Sequence, residues 1–344
     1  MYHPRFKGNH YLMGQKMGNV FKQANAKFPI KLDEFQKQFG KESGVLLSKL
    51  FPEAASEIKG ITDAIDYDNE LFTSWMMCMG CCLDIDNGDS VEVRGCTAFS
   101  FVHEGNVYYG RDNDLPPFLK SLSKSVYYQP ENGNKFILNT SSFINGEEGM
   151  NDNGLVVAMT FVVPKLNEIK PGFNSVFIVR YLLEKCWTVN EGLEALNKLP
   201  IASSCNILLA EQSGKMVVAE CNPQKIHLRY PEKNKKNEDF IITVNHFTSN
   251  EMWKHDASNR NVFLSENRYQ TAYDALMNAE YNDGISHAMD ILRGKLGFMC
   301  QYDKKWKFET IWSSVFDITN DKIYRAEDNP MKVKFIEDKR LFGK

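Results

Sequence analysis

Hydrophobic and polar positions in the first quarter of the chain alternate with helical spacing. Apolar residues recur every three or four positions, which predicts amphipathic helices. One predicted helix begins near Asn9, and others cover residues 32–50, 54–65 and 70–82. The polar cluster at 84–90 is typical of a turn. We therefore expect a helical N-terminal segment, residues 1–95, to precede a different architecture.

From residue 91 onward the pattern changes to short apolar runs separated by turns rich in Gly and Asn. Such runs predict β-hairpins at 97–110, 126–138, 206–219 and 310–326, and a strand at 155–163. Helical patterns interrupt them only at 175–199 and 264–279. Many hairpins with few helices predict an α+β domain, residues 96–344, in which antiparallel sheets are covered by helices.

Composition narrows the class of protein. The chain has 344 residues, of which 43% are hydrophobic and 25% charged, and its net charge is -3. A balance this close to neutral does not favour a nucleic-acid partner. The sequence contains neither a signal-peptide pattern nor an apolar run long enough for a membrane span, so we expect a cytoplasmic protein without a membrane partner.

The eight cysteines are interpreted as thiols. In a chain of this size without a leader pattern, free thiols are more common than a disulfide framework. The run Cys78-Met79-Gly80-Cys81-Cys82 could suggest a zinc or redox site. It lacks the second cysteine pair or paired histidines that such a site needs, so we expect buried thiols and no metal or other cofactor.

Cys96 differs from the other cysteines because of its predicted strand partner. A hairpin turn centred on Glu104-Gly105 pairs residues whose numbers sum to about 209, which places Cys96 opposite a residue near 113. The stretch Arg111-Asp112-Asn113-Asp114 would then set a guanidinium and a carboxylate beside the thiol. A nearby cation favours the thiolate. On this evidence alone, Cys96 could equally be a core thiol and Arg111–Asp114 a surface ion pair.

Gly95 suggests a chemical role for Cys96. A small preceding residue lets the sulfur approach the Gly95 carbonyl for an N-to-S acyl shift, which would break the chain and free the α-amine of Cys96. An α-amine titrates at about 7.7–8.0 and can act as a general base for the thiol. Asp114 could hold the resulting ammonium in place.

Seven segments then carry a family resemblance, in order along the chain. They are 95–99 (GCTAF), 110–114 (GRDND), 149–155 (GMNDNGL), 205–220 (CNILLAE to VVAE), 241–247 (IITVNHF), 265–269 (SENRY) and 310–317 (TIWSSVFD). Together they resemble the cysteine N-terminal nucleophile (Ntn) hydrolases of linear amides. This group includes choloylglycine hydrolases, penicillin V acylase and acyl-CoA:6-aminopenicillanic acid acyltransferase. The long segment before the cysteine resembles the acyltransferase branch, and Asp112 stands where Asn is frequent.

The resemblance implies a four-layer αββα sandwich of two antiparallel sheets behind a helical pro-segment. It implies cleavage between Gly95 and Cys96, giving chains 1–95 and 96–344, and formation of a homo-oligomer. The residues it assigns to catalysis are Cys96, Arg111, Asp114, Asn245 as oxyanion donor, and Arg268, with Thr160 and Phe161 near the substrate.

Three functions remain open from the sequence. The favoured one is an amidase that hydrolyses a linear C–N bond of an N-acyl small molecule or peptide through a thioester on Cys96. The second is an acyltransferase that moves an acyl group from acyl-CoA to an amine. The third is a non-enzymatic binding protein on the same scaffold.

Overall fold

The structure is a computed structural model, which describes residues 1–83, 95–257, 262–303 and 308–343. The predicted turn at 84–90 lies outside the described residues, so its role as a boundary stays a prediction. The described α-helices are α1 His10–Gln23, α2 Glu34–Leu50, α3 Pro52–Ile65, α4 Asn69–Cys78, α5 Ser175–Lys185, α6 Val189–Lys198, α7 Ser265–Asn278 and α8 Gly284–Leu292.

The N-terminal helices begin at well-formed caps and pack closely. The Asn9 side chain accepts from the Leu12 amide at the start of α1, and Asp33 forms a reciprocal capping box with Gln36 at the start of α2. Helices α1 and α3 meet backbone to backbone, since a Cβ added to Gly14 would lie 2.0 Å from the Glu57 carbonyl oxygen. A residue larger than glycine at position 14 would therefore push α1 away from α3.

Eight strands form the first sheet, in the spatial order β1-β4-β5-β6-β7-β8-β9-β10. They are β1 Arg5–Gly8, β4 Lys124–Pro130, β5 Phe136–Thr140, β6 Glu148–Asn151, β7 Val156–Phe161, β8 Cys205–Ala210, β9 Met216–Asn222 and β10 Lys225–Arg229. The edge strand β1 runs parallel to β4, with Arg5 opposite Tyr127. The prediction of a wholly helical N-terminal segment and purely antiparallel sheets was therefore wrong at this edge.

The second sheet has the spatial order β11-β12-β2-β3-β14-β15-β16, with β13 paired to β14. Its strands are β2 Gly95–His103, β3 Asn106–Leu115, β11 Glu232–Lys233, β12 Asp239–Thr243, β13 Tyr302–Asp303, β14 Phe308–Asp317, β15 Lys322–Ala326 and β16 Ile336–Glu337. In the central hairpin Gly95 pairs with Asp114 and Cys96 with Asn113. The register predicted from the turn at Glu104-Gly105 is thus confirmed.

Three apolar cores separate four layers. One lies between the first sheet and helices α1, α3, α4 and α5, a second between the two sheets, and a third between the second sheet and helices α7 and α8. Alternation along the strands produces this division, because Ala98 faces the other sheet while Phe99 and Phe101 face the helices. The fold is the predicted αββα sandwich.

The remaining helices differ in detail from expectation. The helical pattern at 175–199 divides into α5 and α6, and α8 was not predicted at all. None of the helices in the described parts of the chain is both long and apolar enough to cross a membrane.

Candidate active site

Cys96 lies near the start of β2, and its side chain is only 4% exposed. Strand alternation places it on the same face as Ala98, between the two sheets. It lines a largely apolar cavity of about 600 Å³. A buried thiol beside a partly open, largely apolar cavity suits a ligand with an apolar part.

Arg111 holds the Cys96 sulfur from the neighbouring strand. Its Nη2 donates to the Cys96 sulfur and to Asn113 Oδ1, both at 3.0 Å, and its Nη1 donates to the Met159 carbonyl at 2.6 Å. The Asn113 oxygen also accepts from the thiol at 3.5 Å. Arg111 and Asn113 share one face of β3, so the thiol has a cation and an acceptor beside it. Asn113 was predicted as the strand partner, but no function was assigned to it.

The charge state of the thiol follows from burial more than from this cation. Burial raises the pKa of Cys96, Arg111 lowers it, and Asp114 and Glu147 raise it again, so that the net pKa lies above its ordinary value. The sequence led us to expect a cation that favours the thiolate. The cation is present, but burial outweighs it, and the resting group is the neutral thiol.

Asn245 contacts the backbone of Cys96. The Cys96 amide donates to Asn245 Oδ1 at 2.7 Å, and Arg268 Nη2 donates to the same oxygen at 2.8 Å. Asn245 Nδ2 donates to the Phe161 carbonyl at 2.9 Å. This orientation is chemically required, because a flipped amide would present its NH₂ to two donors. Two segments 149 residues apart are joined at this point.

Arg268 is fully buried on α7 and points at the same backbone. Its Nη1 donates to the Cys96 carbonyl at 2.6 Å and to Thr97 Oγ1 at 2.7 Å. The alternative that Arg268 is a charge on the helix surface is therefore excluded. Its cation lies on the helix-facing side of the second sheet, whereas that of Arg111 lies on the side of the thiol.

Asp114 also lies on the helix-facing side of β3, opposite Gly95 and not beside the sulfur. Its carboxylate accepts from Thr310 and lies 3.8 Å from Arg268 Nη1. A Cβ added to Gly95 would lie 3.1 Å from Asp114 Oδ2 and 2.8 Å from the Phe308 ring. The carboxylate thus sits next to the Gly95–Cys96 junction, and that junction fits glycine better than a larger residue.

Asp112 shares the face of Asp114 and is fully buried. Burial raises the pKa of its carboxyl well above the ordinary value, and the neighbouring Asp114 raises it further. The raised pKa favours the protonated carboxyl, which has nearly the shape of an asparagine amide. This explains how an Asp stands where the resembling sequences often carry Asn.

The two residues expected near the substrate have different positions. Phe161 lines the cavity. Thr160, the preceding residue on β7, is absent from the described residues that line it. The Thr160 hydroxyl instead donates to the Val244 carbonyl at 2.6 Å and lies 3.0 Å from the Thr243 hydroxyl. Its position supports the strand that leads to Asn245.

The far wall of the cavity comes from the N-terminal segment, which sequence reasoning did not anticipate. Aromatic rings from Phe21, Phe28 and Trp75 line it together with Phe143 from the catalytic region. These rings contact one another: Phe28 and Phe143 are tilted with centroids 5.9 Å apart, and Trp75 and Phe143 meet edge to face at 5.3 Å. No pattern in the sequence indicates that these rings meet Phe143, because the contact forms only in the folded chain.

The described residues contain no group of three or more His, Cys, Asp or Glu side chains that could hold a metal ion. Cys78, Cys81 and Cys82 are buried free thiols beside α2 and α4.

Comparison with known proteins assigns the chain to a family. The sequence profile of acyl-coenzyme A:6-aminopenicillanic acid acyl-transferase matches residues 102–332, which is more than half of the chain. The chain belongs to this family. The predicted relationship to the cysteine Ntn hydrolases is confirmed. The match begins after Cys96 and so does not include that residue.

Solved structures with a similar fold are distant in sequence. Penicillin V acylase from Agrobacterium tumefaciens is 16% identical, with a TM-score of 0.43 over 67% of this chain and 83% of that one. Two variants of conjugated bile acid hydrolase from Clostridium perfringens are 13% identical, with TM-scores of 0.44 and 0.43 over 67% of this chain and 89% of theirs. No curated protein sequence matches the chain significantly.

Proposed function

We propose that this protein is an Ntn amidase that cuts itself between Gly95 and Cys96 and then hydrolyses linear N-acyl amides through a thioester on Cys96. The observation that carries the proposal is the set of contacts around one residue. The Cys96 sulfur, amide and carbonyl are each held by a different buried side chain, those of Arg111, Asn245 and Arg268. A core thiol with only a packing role needs none of these contacts.

Self-cleavage begins with attack of the Cys96 sulfur on the Gly95 carbonyl carbon. The C–S bond forms, the C–N bond of Cys96 breaks, and the thiol proton passes to the departing nitrogen, which leaves a thioester and a free α-amine. Water then hydrolyses the thioester, gives Gly95 its carboxylate and returns the thiol. The Asp114 carboxylate lies against Gly95, so it is placed to accept a hydrogen bond from the new amine.

The freed amine then serves as the base for turnover. Asn245 Oδ1, which accepts the Cys96 amide at 2.7 Å in the uncut chain, would accept the amine in the cut one. The Arg268 cation on the same oxygen disfavours a second positive charge and so keeps the amine neutral near neutral pH. The neutral amine takes the thiol proton as sulfur attacks the substrate carbonyl, and delivers it to the leaving amine.

The developing oxyanion needs a fixed donor. One hydrogen of Asn245 Nδ2 is bound to the Phe161 carbonyl, and the second remains for the substrate oxygen. Phe161 also lines the cavity, so this donor lies beside the space that the acyl group would occupy. One donor of this kind typically contributes about 10²–10³ in turnover.

The test is intact-mass measurement of the purified protein, followed by incubation with N-acyl amides. We expect a light chain that ends at Gly95, a heavy chain that begins at Cys96, and release of free amine. Cys96→Ala should remain one chain and release none. A processed Cys96→Ala protein, or an unprocessed wild-type protein that cannot be labelled at Cys96 by a thiol reagent, would contradict the proposal.

The family description favours a second candidate, an acyltransferase that uses acyl-CoA. The same thioester would then be resolved by an amine. Incubation with an acyl-CoA and an amine acceptor distinguishes the two: N-acyl product beyond the amount of free acid supports transfer, and free acid alone supports hydrolysis. The rate at which added amine captures the thioester, compared with the rate for water, measures how the thioester divides between transfer and hydrolysis.

A further inference from the structure

A second cavity, of about 370 Å³, lies next to the active-site cavity, and one short segment borders both. Residues 26–29, in the connection between α1 and α2, line the two cavities. On its other side the second cavity is lined by Ile65 and Tyr67. The segment 26–29, here called the partition, therefore lies between the space in front of Cys96 and a second space that is more open to solvent.

The side chain of Phe28 stands inside the partition. Its ring contacts Phe21 and Phe143, which line the active-site cavity, at centroid distances of 5.5 and 5.9 Å. It also contacts Tyr67, which lines the second cavity, at 6.3 Å. The Tyr67 hydroxyl donates to the Phe28 carbonyl at 2.9 Å and so fixes the backbone there. The ring is thus held between the two spaces by contacts on both sides.

We propose that Phe28 limits the length of the acyl chain that the enzyme accepts. The proposal rests on the amidase function above and names its substrate class as linear, apolar acyl groups that end at the Phe28 ring. An acyl chain that enters an apolar space gains affinity with each buried methylene, by about fourfold. A chain that meets the ring gains nothing more and must displace it.

After self-cleavage, selectivity for acyl length would depend on both fragments. Phe28 belongs to chain 1–95, whereas Cys96 begins the other chain. The nucleophile and the residue that selects the acyl length are therefore on separate fragments, and exchange of residues 26–29 should change selectivity without touching the reacting groups.

The experiment uses the full-length processed protein and a series of linear alkyl chloromethyl ketones of increasing length. The Cys96 sulfur displaces chloride to form a thioether, and the released proton and chloride balance the reaction. We expect the labelling rate of wild type to rise with chain length and then fall. In Phe28→Ala the fall should move to longer chains, with a gain of about fourfold for each methylene that enters the second cavity. An unchanged length limit would overturn the proposal.

Three further variants keep the result interpretable. Phe28→Leu, which retains apolar contact, should shift the length limit by less than Phe28→Ala. It replaces Phe28→Ala in the test if that variant unfolds. Phe35→Ala, an exposed aromatic on α2 that borders neither cavity, should leave the length profile unchanged. Adding Ile65→Phe to Phe28→Ala should fill the second cavity and restore the wild-type limit.

Ketone labelling does not require amide turnover, so the two proposals can fail separately. A shifted ketone profile, together with no hydrolysis of any N-acyl 4-nitroanilide of matching length, would reject the amidase and retain the length limit at Phe28. Hydrolysis with the same chain-length preference in wild type and Phe28→Ala would retain the amidase and reject the length limit at Phe28.

Discussion

The guanidinium of Arg111 lies 3.0 Å from the Cys96 sulfur, although the two residues are not opposed in the sheet. Cys96 pairs with Asn113, and Arg111 pairs with Ala98. The long arginine side chain reaches the diagonal neighbour along the shared face of the hairpin. Its cation therefore acts on a thiol that burial otherwise holds neutral.

Arg111→Met should slow alkylation of Cys96. The thiolate is the reacting species, and loss of the cation raises the thiol pKa further, so less thiolate is present at any pH below it. We expect the iodoacetamide rate at pH 7.5 to fall about tenfold or more. The wild-type rate should itself keep rising with pH beyond 8.5, because its thiol pKa is raised. Mass spectrometry of the peptide that begins at Cys96 gives both rates.

The half-buried Cys300 is an internal reference for this measurement, because its thiol donates to Asn329 Oδ1 at 3.1 Å and does not contact Arg111. Its labelling should not change in Arg111→Met. Equal slowing of both cysteines would mean a general change in the fold.

Asn245→Asp should separate the two roles of Asn245. An aspartate keeps an oxygen for the Cys96 amide and for Arg268, but it lacks the Nδ2 donor. We expect self-cleavage to proceed while amide hydrolysis falls by about 10²–10³. Gel analysis of the two fragments and a steady-state amidase assay measure the two effects.

Asn245→Ala serves as the comparison, because it removes the acceptor and the donor together and should impair both steps. If Asn245→Asp hydrolysed amides at the wild-type rate, another group would have to stabilise the oxyanion.

Gly95→Ala should slow self-cleavage, by about tenfold or more, because its methyl group would overlap neighbours on the helix-facing side. The added Cβ would lie 2.8 Å from the Phe308 ring and 3.0 Å from Asp114 Cβ. Relief of such overlap moves the Gly95 carbonyl away from the sulfur, and small displacements of reacting atoms are costly. Time courses of fragment formation measure the rate.

The double variant Gly95→Ala/Phe308→Ala tests the steric explanation, since it removes the closer of the two clashes. It should recover much of the lost rate. Recovery would be absent if Gly95 were needed only for its backbone freedom.

The sequence predicted the local parts of this site well because they depend on neighbouring residues. A two-residue turn fixes the pairing of its strands, so the place of Cys96 opposite Asn113 followed from Glu104-Gly105 alone. The face of each side chain was not predicted, and for that reason Asp114 was expected beside the thiol. Helix α8 was missed although Asp283 caps it by accepting from the Ser286 amide, a signal that was present in the sequence.

The parts that depend on distant residues came from family resemblance or were not predicted. Asn245 and Arg268 were assigned by motif, because no local pattern indicates that they meet Cys96. The aromatic wall from Phe28 and Trp75 was not foreseen, because it forms only where the N-terminal helices lie on the first sheet. Edge strand β1 was missed for a similar reason: four residues, Arg5–Gly8, carry too little pattern to predict a parallel partner.

Arg180→Leu should weaken the attachment of the N-terminal segment to the catalytic region. Arg180 on α5 donates from Nη2 to Glu57 on α3 and to Glu184, each at 2.9 Å, and all three side chains are fully buried. Without the cation, two buried carboxylates remain in a medium that disfavours their charge, which typically costs about 3–5 kcal/mol. Urea unfolding of the unprocessed Cys96→Ala protein, with and without Arg180→Leu, measures this cost. Size-exclusion chromatography of processed protein shows whether the light chain is lost.

Lys185→Ala is the matched control: Lys185 bonds Glu53 at 2.6 Å across the same pair of helices, but the two side chains are 25% and 30% exposed. Lys185 Nζ also lies 3.7 Å from Glu184 Oε1, but Arg180 and His10 still hold that carboxylate in Lys185→Ala. The exposed pair with Glu53 contributes at most about 1 kcal/mol, so the light chain should stay bound. Equal effects of the two variants would show that burial of the Arg180 cluster does not determine how the two fragments hold together.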